Sequence, residues 1–418
     1  MQKLLVQGGY RLNGEINIGG MKNSALPVIY ATILVKDECI LENIPRVSDI
    51  DNSIEILRQM GAYCEFIDTH TLLINTKNLS SEINGFELIS KMRASSYLMG
   101  TMLARFGKAY LPMPGGCNFG KRPIEQHIKG FEHLGAKCIE DNGFINITTN
   151  KKLKSNKITL DKISVGATIN IVLASIFLDG LTIIENSAME PHVDDTIRFL
   201  NMCGAKILRC KSRIYIEGVK ALHSSRYRIF PDMIESLTYM TFLGICGGDI
   251  TLVGVKYEHI KYVCDIFKKM NFNIDTYEDE VRARVNEQVE GANIITAPYP
   301  LFPTDLHPQF ASLLCFSSTG GTTRDDVFPT RFAYAKELEK MGANIERIEN
   351  SIKIYPSKIH SATLDATDLR AGAALVACAL GAQGESIINN VNYIVRGYED
   401  IVGKVTSLGG KIKIIKET

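Results

Sequence analysis

Cys117 lies in the stretch LPMPGGCNFGKRP, residues 111–123, between a short apolar strand and a helix. A thiol acts as an acid or nucleophile only when its thiolate is accessible near neutral pH. Lys121, Arg122 and the start of the following helix would stabilise that thiolate. Cys117 therefore suits proton donation, and equally a covalent adduct. The other polar residues of chemical interest gather at the entrances of apolar helical segments. Lys22 and Asn23 precede the first, Arg93 enters the second and KISVGAT (162–168) the third. Asp232 and Glu235 enter the fourth, Asp305 lies just before the fifth, and Asp368 with Arg370 begins the sixth. Arg122, Glu190, Arg331 and Arg396 stand near the starts of amphipathic segments. Helix N-termini expose unpaired N–H groups and a partial positive charge. Several of them aimed at one cleft, with lysines and arginines beside them, make a receptor for phosphate or carboxylate. Asp305 and Asp368 each stand where an aspartate commonly caps a helix. Unusual polar residues at the same place in successive segments are more than packing requires.

A repeat positions these residues. The tags MGAYCEF at 60, LGAKCIE at 134, CGAKILR at 203, MGANIER at 341 and LGGKIKI at 408 recur, with a degenerate copy, MNFNIDT, at 270. Their spacing of roughly 70 residues fits one supersecondary unit. Before each tag lies an amphipathic helix. Val193, Ile197, Leu200 and Cys203 share one face in the third unit, and Ile394, Tyr398, Ile401, Val405 and Leu408 do so in the last. Each tag glycine suits a helix C-cap. Upstream of each amphipathic helix is a near-continuously apolar one, such as VGATINIVLASIFL or LRAGAALVACALGA, which implies burial on most sides. The unit reads strand, buried helix, strand, amphipathic helix, then two strands. Six units divide into two domains of three, with a boundary near RYRIFPD (226–232). The expected domains are 22–229, and 1–21 with 230–418. In that division the opening strand EINIGG pairs with the last unit and closes the second domain across the chain ends. The fold class is α/β (α+β).

Composition narrows the function. The chain has 418 residues, is 45% hydrophobic and carries a net charge of +1, so no global field draws it to nucleic acid or an anionic membrane. The opening MQKLLVQGGYRLNGEI lacks the basic start and apolar core of a signal peptide, and no apolar run reaches membrane-spanning length. There is no CxxC pair and no metal-binding spacing, so neither a metal nor a cofactor is expected. Most of the ten cysteines, such as Cys203, Cys246 and Cys378, lie in apolar stripes and read as reduced, buried thiols of a cytoplasmic protein.

MKNSALP (21–27), KMRAS (91–95), PGGCNFGKRP (114–123), KISVGAT (162–168), FPTDL (302–306), ATDLRAGA (366–373) and RGYE (396–399) occur together in this order. That set closely resembles the UDP-N-acetylglucosamine enolpyruvyl transferases, from VQGG at residue 6 to the C-terminal tail. The related enolpyruvylshikimate-phosphate synthases share the six-unit architecture but lack the cysteine loop. The resemblance implies a two-domain inside-out α/β barrel, three units per domain, closing over a cleft. It implies transfer of the enolpyruvyl group of phosphoenolpyruvate to the 3-hydroxyl of UDP-N-acetylglucosamine with loss of phosphate, the first committed step of peptidoglycan synthesis. It also implies alkylation of Cys117 by fosfomycin, and a monomer or weak homo-oligomer. Residue by residue, Cys117 matches the loop cysteine and Asp305 the proposed base at the sugar hydroxyl. Lys22, Arg122 and Arg396 match groups holding phosphoenolpyruvate or its phosphate, and Asn23 and Arg93 line the same region. Glu190, Arg331, Asp368 and Arg370 match further cleft residues. Lys162, Ser164, Val165 and Gly166, together with His127, Asp326, Val327 and Phe328, match contacts to the nucleotide sugar.

The chain departs from the family's pattern beside these positions. Val395 stands where an aspartate is usual, Pro329, Thr330 and Tyr334 replace the pattern E-N-R-F-M-H around Arg331, and His192 replaces an acidic residue. Leu237 stands for glycine and His307 for glutamine. Two alternatives therefore stay open: a paralogue acting on a related nucleotide sugar, and a catalytically silent UDP-sugar-binding regulator. Retention of Cys117, Lys22, Asp305 and the arginines favours the enzyme.

Overall fold

The computed structural model describes residues 2–83, 86–115, 124–149 and 152–416. The chain forms two compact units. The first comprises the described residues from Gly20 to Phe230, and the second those up to Gly19 together with those from Pro231 onward. The secondary structure is mixed α/β, with six small sheets among the described residues, five of four strands and one of three.

The recurring tag has a local structural meaning. Helix Ser48–Gln59 ends at Met60, and Gly61 follows with φ of +96°. The Gly61 N–H then bonds the Arg58 carbonyl and the Ala62 N–H bonds that of Leu57. This is the doubly bonded left-handed helix stop that favours glycine. The same two bonds recur at Gly135, Gly204, Gly342 and Gly409. In the degenerate copy Asn271 takes the positive φ, as asparagine most readily does. A strand follows each stop, for example Tyr63–Phe66, Lys206–Cys210 and Asn273–Thr276.

The apolar helices are buried as their composition requires. Val165–Ser175 and Leu369–Gly381 are enclosed over nearly their whole length. In the first unit Tyr97–Phe106 crosses Val165–Ser175 at Gly100, whose N–H bonds Asn170 Oδ1 at 2.8 Å. In the second unit His307–Phe316 packs on Leu369–Gly381, with Ser312 Oγ on the Ala374 carbonyl at 2.8 Å. Each sheet lays one face on this helical core, which is why Gly248–Val253 alternates buried and half-buried residues.

Four expectations are corrected. EINIGG does not pair with the last unit. Strand Leu12–Asn17 runs parallel to Gly248–Val253, and the earlier strand Gln2–Gln7 is the one lying between Glu385–Asn389 and Lys411–Lys416. In turn Ser225–Arg228 runs parallel to Glu38–Glu42. At the two buried helices Lys22–Ala31 and Met233–Cys246, where the chain passes from one unit to the other, the strand before the helix and the strand after it therefore belong to different sheets, whereas the strands flanking Val165–Ser175, His307–Phe316 and Leu369–Gly381 pair in parallel within one sheet. Second, the sheet Lys108–Pro112, Phe144–Thr148 and Lys137–Asp141 has no parallel partner among the described residues, because helix Phe86–Lys91 and the tight turn Arg93–Ser96 lead into Tyr97–Phe106 instead. Third, the last amphipathic helix is two pieces, Asn392–Val395 and Ile401–Ser407. Asp400, at φ of +46°, breaks it and caps the second piece by accepting from the Gly403 N–H at 3.0 Å. Ile394, Tyr398, Ile401, Val405 and Leu408 are nonetheless all buried. Fourth, most of the described cysteines are buried as expected, but Cys246, one of the three named as buried, is only half-buried. Cys203 and Cys378 are buried, Cys246 is intermediate with burial pushing its thiol up to about 12, and Cys210 is exposed. No helix among the described residues is long and apolar enough to cross a membrane.

Candidate active site

In the second unit, Asp305 sits in the turn Thr304–Leu306 ahead of helix His307–Phe316, whose N-cap position is Leu306. Its two oxygens are held separately. Arg331 Nη1 lies 3.0 Å from Oδ1, and Arg370 Nη2 lies 3.1 Å from Oδ2. Both guanidiniums are buried, at 5% and 3% exposure, whereas the Asp305 side chain keeps 29%. The carboxylate is therefore the accessible face of an otherwise enclosed ionic cluster. Arg370 also donates to the Tyr398 hydroxyl at 2.9 Å, and that hydroxyl meets Thr238 Oγ1 at 3.0 Å and Gln309 Nε2 at 2.9 Å. Burial opposes the charge of Arg370, but Tyr398 and Asp305 more than offset it and hold the guanidinium above its ordinary range. Asp368 does cap its helix, accepting from the Arg370 and Ala371 N–H groups at 2.9 and 3.1 Å, and stands 3.9 Å from Arg331 Nη2.

Asp232 caps Met233–Cys246 through the Ile234 and Glu235 N–H groups. Glu235 is buried between Lys404 Nζ at 2.6 Å and the Gly19 N–H at 2.9 Å. Burial raises its carboxyl, and Lys404 partly opposes the shift. Val327 is exposed and Phe328 half-buried in the loop before Arg331. Arg396 follows the short helix Asn392–Val395 instead of starting an amphipathic one, a consequence of the break at Asp400.

In the first unit, Lys22 opens helix Lys22–Ala31 and is buried against Asp49, Nζ to Oδ2 2.9 Å. Asn23, next along, is half-buried. Ser164 caps Val165–Ser175 by accepting from the Ala167 N–H at 3.3 Å, which leaves Val165 and Gly166 half-exposed in the first turn beside the exposed Lys162. His127 is 2% exposed, and neither ring nitrogen has a hydrogen-bond partner among the described residues. Burial, with the charge of Arg93 added, pushes its imidazole down to about 3. A side chain at 166 would put its Cβ 2.8 Å from His127 Nε2, so only glycine admits that ring. Arg93 and Glu190 both act electrostatically on the buried Tyr97, and Glu190 occupies the N-cap position of Pro191–Met202 without a cap bond. Cys117 and Arg122 lie outside the described residues.

The structure thus gathers Asp305, Arg331, Asp368 and Arg370 in one unit, and Arg93, His127 and Gly166 in the other. Sequence reasoning missed Tyr398 as the second partner of Arg370, Asp49 as the partner of Lys22, and Thr304 and Asp325 behind Asp305. The departures from the family's pattern sort by burial. Leu237, His307 and Tyr334 are buried, and Pro329, Thr330 and Val395 are exposed. Two of the buried departures touch: the Tyr334 hydroxyl lies 3.3 Å from His307 Nδ1, and His307 Nε2 lies 2.9 Å from Thr323 Oγ1.

Six small sheets on buried helices in two units, the second of which pairs carboxylates with guanidiniums at its helix entrances, define a mixed α/β protein. A family model described as EPSP synthase (3-phosphoshikimate 1-carboxyvinyltransferase) matches residues 6–405, and the chain belongs to this family of enolpyruvyl transferases. It is 40% identical over 408 residues, 97% of each chain, to UDP-N-acetylglucosamine 1-carboxyvinyltransferase 2 of Staphylococcus aureus (strain Mu50 / ATCC 700699). It is 40% identical over the whole of both chains to UDP-N-acetylglucosamine 1-carboxyvinyltransferase 3 of Caldanaerobacter subterraneus subsp. tengcongensis. The fold is that of the enolpyruvyl transferase NikO from Streptomyces tendae, with a TM-score of 0.90 at 23% identity, covering 99% of this chain and 98% of that one. EPSP synthase from Acinetobacter baumannii shares it at a TM-score of 0.76 and 17% identity over both whole chains.

Proposed function

We propose that the chain transfers the enolpyruvyl group of phosphoenolpyruvate to the 3-hydroxyl of UDP-N-acetylglucosamine, as the first committed step of peptidoglycan synthesis. The observation that carries the reading is Asp305: a half-exposed carboxylate oriented through both oxygens by two buried arginines. Such a group accepts a proton from a fixed direction without reorganising at the moment of reaction. The full-length similarity to UDP-N-acetylglucosamine 1-carboxyvinyltransferases supports the choice of acceptor.

In this reading the sugar oxygen attacks C2 of phosphoenolpyruvate as Asp305 takes the hydroxyl proton, and C3 receives a proton from Cys117. A tetrahedral phosphoketal results. Loss of a proton from C3 then expels phosphate and restores the double bond in the product. Lys22, Arg122 and Arg396 neutralise the phosphate and carboxylate. Asn23, Arg93, Glu190, Arg331, Asp368 and Arg370 complete the lining. Lys162, Ser164, Val165, Gly166, His127, Val327 and Phe328 receive the nucleotide sugar. The two units act as the two domains of an inside-out α/β barrel of six repeats in a cytoplasmic enzyme, and fosfomycin alkylates Cys117.

The test is phosphate release from phosphoenolpyruvate across a panel of UDP-sugars, with and without fosfomycin. UDP-sugar binding without release would support the silent regulator, and release with shikimate 3-phosphate instead would support the sister activity. Cys117→Ser is expected to lose most turnover and all fosfomycin labelling. Asp305→Ala is expected to lose turnover while still binding UDP-sugar.

A further inference from the structure

Behind the Asp305 turn lies a second carboxylate that no substrate role claims. Asp325 ends strand Gly321–Asp325 and is fully buried. Its Oδ1 accepts from Thr296 Oγ1 at 2.7 Å and from the N–H groups of Val327 and Phe328 at 3.0 and 2.9 Å. Its Oδ2 accepts from Thr304 Oγ1 at 2.7 Å, with His307 Nδ1 3.9 Å away. Thr304 precedes Asp305 in the chain. Its carbonyl accepts from Arg331 Nη1 at 3.3 Å, the same nitrogen that holds Asp305. Arg331 is fixed in turn by its own N–H on the Phe328 carbonyl at 3.0 Å. The contacts form a closed ring: Asp325 to Phe328, Phe328 to Arg331, Arg331 to Asp305 and Thr304, and Thr304 back to Asp325.

We infer that Asp325 is a positioning residue that ties the turn carrying Asp305 to the loop carrying Val327, Phe328 and Arg331, so that the base and the adjoining ligand-facing loop keep one geometry. The inference rests on the reading of Asp305 as the base. The chemistry of the donors favours a carboxylate at 325. Four N–H and O–H groups converge on it, and a carboxylate accepts from all four without turning a donor toward any of them. An amide with its oxygen toward Thr296, Val327 and Phe328 would turn its NH₂ toward Thr304, whose hydroxyl would then accept instead of donate, and an apolar side chain would leave all four donors unmatched. The ring also explains how one side chain serves two ends of the site. The Thr304 arm sets the direction of Asp305, and the backbone arm sets Val327 and Phe328. Misplacing a catalytic group by about 1 Å is enough to cost about a hundredfold in rate.

Three variants test this in the phosphate-release assay. Thr304→Val removes the one side-chain bond between Asp325 and the turn. It is expected to lower kcat at least tenfold, with KM for UDP-N-acetylglucosamine within twofold of wild type and an unchanged melting temperature. Thr304→Ser, which keeps the hydroxyl, is expected to restore most of kcat. Asp325→Ala breaks both arms and is expected to lower kcat and raise that KM together. Wild-type kcat in Thr304→Val overturns the inference, and that variant alone decides should Asp325→Ala fail to fold. Asp305→Asn separates the two levels. If it turns over normally, the base reading falls. If it is inactive while Thr304→Val and Asp325→Ala behave as wild type, the base reading stands and the positioning role falls.

Discussion

His307 gives the sharpest quantitative expectation. It is fully buried, bonded to Thr323 and beside Tyr334 and Asp325. Burial pushes its imidazole from 6.5 down to about 4; the Asp325 charge opposes this, and the Arg331 charge reinforces it. The native state therefore holds a neutral ring that the unfolded chain protonates near pH 6.5. The sign follows: the unfolded state binds the extra proton, so stability is complete above pH 6.5 and is lost as the pH falls toward 4. At pH 7.5 the contribution is close to zero. At pH 5 the unfolded ring is almost wholly charged and the native ring about one-tenth charged, which costs about 2 kcal/mol. His307→Gln removes the titration while keeping a hydrogen-bonding side chain for Thr323. Equilibrium urea unfolding of both proteins at pH 7.5 and pH 5 measures the effect. The wild type is expected to lose about 2 kcal/mol more than the variant on acidification. The depressed His127 acts in the same direction but is common to both proteins and cancels in the comparison. Equal losses in the two proteins would refute the burial argument for His307.

Three further outcomes follow from the packing. Gly135→Ala places a Cβ in open space at φ of +97°, so it isolates backbone strain and is expected to cost about 1 kcal/mol in the same urea assay. Gly100→Ala drives a Cβ to 2.4 Å from the Asn170 carbonyl oxygen; a helix crossing must open, and a loss of about 3 kcal/mol or more is expected. Asp49→Ala leaves the buried Lys22 ammonium without this carboxylate, and thermal unfolding is expected to report a loss of about 3 kcal/mol.

Local order was legible because it is written in short-range pattern. The six helix stops follow from a glycine or asparagine at one place in each tag, since a left-handed residue is cheap only there. The buried helices follow from apolarity on every face, and the caps at Asp232, Ser164 and Asp368 from residue type at a helix start. Pattern also singled out Asp305, but a cap is all that local spacing allows for an aspartate there. Its two arginines come from 26 and 65 residues further along the chain. The same holds for Lys22 and Asp49, 27 residues apart. It holds too for the strand exchange that sends Leu12–Asn17 to Gly248–Val253 and Ser225–Arg228 to Glu38–Glu42. The sequence by itself determined the repeat, its helices and the residue types that gather at their entrances. Tertiary structure alone decided which carboxylate meets which cation. Such pairs are selected by the burial of both partners in one place, and no periodicity along the chain records it.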